Sequence, residues 1–198
     1  MRRMIPAAVL LLLSGAAFAF TVTPITQDFT PSGPGTVQSF QLENDGNENA
    51  ALRIKIFVRE MDEYGKETLL PADGLFLIYP PQVVLKPRSS QTLKIQWRGE
   101  SRVDTELCFR LLVEQLPVNF EEETTPGGRI RILLRYMGAL YVVPPRPRHE
   151  IVLDSAVPAV NDKNEKGLDL VFHNTGNSHI LLGDLALTVS AGGDGEEP

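Results

Sequence analysis

Residues 52–59 read LRIKIFVR, with Leu52, Ile54, Ile56 and Val58 alternating with Arg53, Lys55, Phe57 and Arg59. Successive side chains of a strand point to opposite faces, so this is a half-buried strand with one apolar stripe. The pattern repeats on both sides of it. Upstream, the turn Asp45 to Asn49 (DGNEN) separates it from Val37 to Asn44, whose apolar face is Phe40 and Leu42, and Phe20 to Pro24 reads as a first strand. Downstream, the turn Asp62 to Lys66 (DEYGK) precedes a short strand, Leu75 to Tyr79, stopped by Pro80 and Pro81, since proline donates no hydrogen bond to a ladder. Leu93, Ile95 and Trp97 then alternate with Lys94 and Gln96, and Leu107, Phe109, Leu111 and Val113 alternate with Cys108, Arg110, Leu112 and Glu114.

A last strand of the same kind is Arg129 to Tyr136, RIRILLRY. Ile130, Ile132, Leu134 and Tyr136 share one face; Arg129, Arg131 and Arg135 share the other, with Leu133 as the exception. It follows Gly127 and Gly128 and precedes the proline cluster Pro144, Pro145 and Pro147, which places it late in its domain. A late strand is well placed to lie at a sheet edge, where regularly spaced apolar residues can pair with another chain. About seven short strands separated by turns, with no helical pattern, predict an all-β fold: an immunoglobulin-like seven-stranded β-sandwich over residues 20–144.

The ends read differently. Arg2 and Arg3, the apolar run Ile5 to Leu13 and the small-x-small pattern Ala17–Phe18–Ala19 form a cleavable secretory signal over residues 1–19, too short to span a membrane. Beyond the stiff linker around Pro144, residues 145–198 predict a partial second β-domain, with strands at Ile151 to Leu153, Leu168 to Phe172 and Ile180 to Val189. It ends in a Gly- and acid-rich tail, Ala191 to Pro198. Some fifty residues is small for an independent sandwich.

Composition narrows the function. Removing the signal takes the formal charge from −6 to −8, the wrong sign for a general nucleic-acid or anionic-membrane binder. The single Cys108 cannot form an internal disulfide and reads as a packed thiol in a strand. His173 and His179, either side of the turn Asn174 to Ser178, have no cysteine cluster or HExxH spacing to support a metal site. No nucleophile elbow, phosphate loop or dinucleotide fingerprint occurs, and the acids Glu121 to Glu123 read as a solvated loop. The chain therefore reads as a binding protein that uses no cofactor, not as an enzyme.

Several segments, in this order, resemble the periplasmic pilus-assembly chaperones of the PapD-like family. They are Tyr79 to Pro87 (YPPQVVLKP), Gln91 to Trp97 (QTLKIQW), Glu106 to Pro117 (ELCFRLLVEQLP), Arg135 and Tyr136 running on to Pro144, and Leu170 to Ile180 (LVFHNTGNSHI). The resemblance implies two immunoglobulin-like domains and a periplasmic protein that binds pilus subunits lacking their own last strand. It lends its seventh strand to fill the gap and delivers the subunit to an outer-membrane usher. Such strand addition gains affinity from backbone hydrogen bonds and register from alternate side chains. Matched to the family, Ile130, Ile132 and Leu134 take the donor positions and Tyr136 extends the stripe. Each such residue, once buried, contributes roughly 1.5–3 kcal/mol.

Two departures accompany the resemblance. The best-known members hold the subunit's terminal carboxylate with an Arg on the first strand and a Lys on the seventh. Here the seventh-strand position is Ala139 and the first-strand region near Thr26 has no Arg, which looks more like the divergent, archaic branch. A carboxylate in a partly dry cleft still needs a cation, for which Lys86, Arg88, Lys94 and Arg135 are the candidates. The second domain is also several strands short of the family's, which implies a truncated one. The alternative expectation is a secreted structural or adhesive β-sandwich without chaperone activity, or a truncated, inactive chaperone.

Overall fold

The apolar stripes of the four clearest alternating strands face inward. In the computed structural model, which describes residues 20–118, 132–184, 186 and 188, Phe40, Leu42, Leu93 and Ile95 of one sheet meet Leu52, Ile54, Phe109, Leu111 and Val113 of a second, and all are buried. The first sheet has the order β1 (Phe20–Thr23), β3 (Val37–Asn44), β8 (Ser89–Trp97), β6 (Phe76–Tyr79). The second has the order β2 (Thr26–Phe29), β10 (Arg135–Val142), β9 (Leu107–Gln115), β4 (Ala50–Met61), and β4 is long enough to take two strands along its far side: β7 (Gln82–Leu85) and β5 (Glu67–Pro71). This is the expected all-β sandwich with immunoglobulin-type layering.

Aromatic rings close one end of the core. Phe76 stands edge-on to Phe29, Trp97 and Phe109, with centroids 5.5, 5.1 and 4.9 Å away. Such pairs stabilise beyond the area they bury. The indole N–H of Trp97 donates to the Glu100 carbonyl at 3.0 Å, so burial leaves its polar atom satisfied. At the turn after β3, buried Asn44 donates to the carbonyls of Glu48 (2.8 Å) and Lys86 (3.1 Å) and accepts from Gly46 N–H (2.9 Å). One side chain thus ties the 45–49 turn to the segment leading into β8.

The expected first strand, Phe20 to Pro24, is β1, which pairs with β3; the chain then crosses at Pro24 and Ile25, and β2 pairs in parallel with β10 in the other sheet. Three short strands, β2, β5 and β7, add to the seven expected; they carry no sustained alternation. The late strand runs further than expected: its ladder with β9 covers Arg135 to Val142, past Tyr136, because Gly138, Leu140 and Val142 continue the inward face while buried Ala139 interrupts the polar outer one. Of the expected span, residues 132–134 precede the ladder and residues 129–131 lie outside the described residues. Finally, Ile180 to Asp184 form no strand: Leu182–Asp184 make a 3-10 turn, and no described strand lies beside them to pair with.

After the sandwich, β11 (Ile151–Val160) and β12 (Lys166–Asn174) form a two-stranded sheet of their own, with a bulge between Leu153 and Ser155. Leu153 and Leu168 remain 48% and 45% exposed, so among the described residues this hairpin has no core like that of the sandwich. The turn after β12 docks on the chain just before β9. The nearly buried Glu106 carboxylate accepts from Ser178 Oγ and His179 Nδ1, both at 2.7 Å, and Asn177 Nδ2 donates to the Asp104 carbonyl at 2.9 Å. The His179 ring stacks on Tyr141 of β10 at 4.3 Å.

This packing sets expected costs. Phe109→Ala removes a ring from the centre of the aromatic cluster and should lower stability by about 3–5 kcal/mol, read as a drop in the urea midpoint. Leu153→Ala on the hairpin should shift the same midpoint by no more than about 0.5 kcal/mol.

Candidate functional site

The site is an unpaired stretch of sheet edge on β10. In an antiparallel ladder the backbone groups of alternate residues face alternate sides. Gln115 N–H donates to the Leu134 carbonyl at 2.9 Å, so the even-numbered residues of β10 bond to β9. The odd-numbered residues face the other way. There Ala139 N–H donates to the Ile25 carbonyl and Val143 N–H to the Phe29 carbonyl, both at 2.9 Å. The pairing with β2 covers only Ala139 to Val142. Upstream of it, the outward backbone groups of Leu133, Arg135 and Met137 have no strand beside them among the described residues.

The side chains follow the same parity. Tyr136 packs on the core with its ring 5.0 Å from that of Phe20, edge-on, and Leu134 packs partly on the same cluster. Ile132 lies beyond the rim of the core and is 72% exposed. Ile130 lies outside the described residues, as do Arg129, Arg131 and Glu121 to Glu123. Of the four expected donor residues, two therefore line the margin of the protein's own core, one projects past it, and one is not described. A single apolar stripe runs off the end of the sandwich.

The outer face of the same sheet carries charge. Glu114 on β9 accepts from Arg53 on β4 at 2.8 Å and pairs with Arg135 at 3.4 Å. Burial pushes its carboxyl up, but the Arg53 hydrogen bond and the charges of Arg53, Lys55 and Arg135 outweigh that and hold it below the usual range. Nearby, Glu67 on β5 takes two hydrogen bonds from the Arg110 guanidinium, one of them 3.0 Å from Nε. Arg59 completes this cluster: its Nε is buried without a hydrogen bond, 3.8 Å from Glu67, and its guanidinium lies 6.0 Å from the Tyr141 ring. Cys108 sits beside them, its thiol pushed up first by burial and then by Glu106, which favours the protonated form.

The four expected carboxylate anchors do not converge. Lys94 is on β8 in the opposite sheet, and Lys86 and Arg88 are in the turn between β7 and β8, where Arg88 binds Asn47 Oδ1 at 3.2 Å. Arg135 alone is on β10, where Glu114 partners it. The two positions that the resemblance singles out, Thr26 and Ala139, are direct register partners across β2 and β10, and the next residue in the row is Arg110 on β9. Sequence reading missed the Arg59–Glu67–Arg110 cluster. Its members lie on three strands, β4, β5 and β9, whose adjacency no local pattern reveals. His173 and His179 are engaged separately, with Asp154 at 4.0 Å and Glu106 at 2.7 Å.

The Arg110 hydrogen bond holds the Glu67 carboxyl below its ordinary value of 4.5; burial partly opposes this, and the Arg110 and Arg59 charges reinforce it. The folded state thus favours the ionised form, and the stabilisation is complete at neutral pH and fades as pH falls below that value. Glu67→Gln should cost about 0.5–1 kcal/mol at neutral pH, and the difference from the parent protein in urea melts should narrow progressively as the pH is lowered through the acidic range below the ordinary carboxyl value.

Comparison with known proteins places this geometry. No curated protein sequence matches the chain significantly. Solved structures share the fold. A chain of the chaperone–tip adhesin complex of CFA/I fimbriae biogenesis superposes with a TM-score of 0.56 at 17% identity, over 81% of this chain and 68% of that one. The class 5 fimbriae chaperone CfaA gives 0.57 at 15% identity, over 80% and 68%. The CsuC–CsuE pre-assembly complex from the archaic chaperone-usher Csu pili of Acinetobacter baumannii gives 0.51 at 16% identity, over 77% and 76%. Residues 32–147, more than half of the chain and nearly all of the sandwich, match the family model for the pili and flagellar-assembly chaperone PapD N-terminal domain, and the chain belongs to that family.

Proposed function

We propose that this protein is a periplasmic chaperone that lends β10 and the residues leading into it to pilus subunits lacking a last strand, and passes them to an outer-membrane usher. The observation that carries the reading is the open backbone edge at Leu133, Arg135 and Met137, lying in a family member beside an apolar stripe that outruns its own core. Extended backbone needs partners for its polar groups, and a subunit with an open groove offers them. Ile132 and Leu134, with Ile130 ahead and Tyr136 behind, supply the side chains that enter that groove. Secretion through the segment 1–19 brings the protein to the compartment where such subunits fold.

The subunit's terminal carboxylate needs a cation near the inner end of the lent strand. Arg110, next in register to Ala139, and Arg59, whose Nε has no hydrogen bond, stand at that end, and Arg135 stands within the open stretch. These take the place of the Arg and Lys that the resemblance implies at Thr26 and Ala139. Lys86, Arg88 and Lys94 are remote from β10 in the ladder and are set aside.

Ile132→Asp alters a side chain that is already in solvent, so the protein should melt within a few degrees of the parent. Co-expressed with a strand-deficient pilus subunit, it should recover at least about tenfold less soluble complex, since a charge is then forced into an apolar groove. Addition of Leu134→Asp should abolish recovery. Undiminished complex with the double variant sinks the reading.

A further inference from the structure

A lent strand must be held in one register, because a slip of one residue turns every side chain to the wrong face. The backbone geometry supplies a way to hold it, on the reading given above. A strand added to the open stretch of β10 lies end to end with β2, which occupies the same side of β10. The chain enters β2 from the opposite sheet through Pro24 and Ile25, and the Ile25 carbonyl takes the N–H of Ala139 at 2.9 Å. The outward ladder positions are therefore Ala139, occupied, and then Met137, Arg135 and Leu133, open.

Close approach of Ile25 depends on Gly138. A Cβ at that position would lie 2.6 Å from the Ile25 carbonyl oxygen and 3.6 Å from Leu111 Cβ, and the first contact is with backbone that has no flexible end to move aside. Any side chain at 138 would displace the start of β2 from β10. We infer that the Ile25 carbonyl, admitted by Gly138, is a fixed stop that ends the guest strand at Met137 and so sets its register. It is a wall made of main chain, and it works whatever the sequence of the guest.

Met137→Pro tests the last open position directly. Its N–H points to the free edge, so proline there removes no hydrogen bond within the protein, as is usual for proline on an edge strand. Capture of a strand-deficient pilus subunit should weaken about five- to tenfold with the thermal transition nearly unchanged. Register is read by disulfide mapping in a Cys108→Ala background, between Met137→Cys and single cysteines placed along the subunit's final strand. One position should cross-link in the parent, and Gly138→Ala should move the cross-link by two residues. Hydrogen exchange on the free protein tests the stop without any subunit: Ala139 should be protected and Met137 should exchange fast. Full capture by Met137→Pro, an unmoved cross-link in a folded Gly138→Ala variant, or rapid exchange at Ala139 would each overturn the stop. Loss of capture by the parent itself would strike the chaperone reading and leave the exchange test to decide the stop.

Discussion

Every N–H and C=O of an extended chain needs a partner, and the structure meets this need everywhere along β10 except at one stretch. Downstream of Ala139 both sides are paired, with β9 on one and β2 on the other; upstream only β9 is present among the described residues. The rest of the arrangement follows from that asymmetry. The stretch is short, and its outer face carries Arg135 paired with Glu114, the kind of charge that discourages unselective edge-to-edge association. Its inward face is apolar throughout: Tyr136 and Leu134 pack on the protein's own core, and Ile132 projects past its rim.

The charged clusters on the outer face act on this edge indirectly. Glu114 and Glu67 each bind guanidinium groups from neighbouring strands and so tie β4, β5 and β9 side by side. This stiffens the sheet on which β10 rests. Surface ion pairs are individually weak, but those seated across adjacent strands report strand order. Here they also hold Arg110 in register with Ala139 and Arg59 near Tyr141, whose ring stacks on His179.

Much of the fold was legible in the sequence because half-burial leaves a period of two. β3, β4, β8 and β9 all carry it. β10 does not: MGALYVV is buried on both faces over much of its length, so the visible alternation ended at Tyr136 and the strand's continuation to Val142 went unread. β2, β5 and β7 were missed because four or five residues along an edge hold too little pattern to register. The residues proposed as donors, Ile132, Leu134 and Tyr136, could be placed by resemblance, but which of them projects from the core and which is committed to it is a tertiary fact. The Arg59–Glu67–Arg110 cluster was invisible for the same reason. Its partners are distant in sequence and share no motif.

The crossing of the chain from β1 to β2 has a consequence for how the molecule comes into being. β2 pairs with β10, joining Thr26 to Ala139 across more than a hundred residues of intervening chain. Parallel contacts so far apart in sequence close slowly, because the entropy of a long loop is lost before any contact rewards it. Until β10 has been made and seated, the earliest-made part of the sandwich has only β3 to hold it, and β10 has no neighbour on its outer side at all. The protein itself therefore passes through a stage that wants a missing strand. It reaches maturity by filling the Ala139 to Val142 half of that gap with its own β2 and leaving the rest without a neighbour among the described residues.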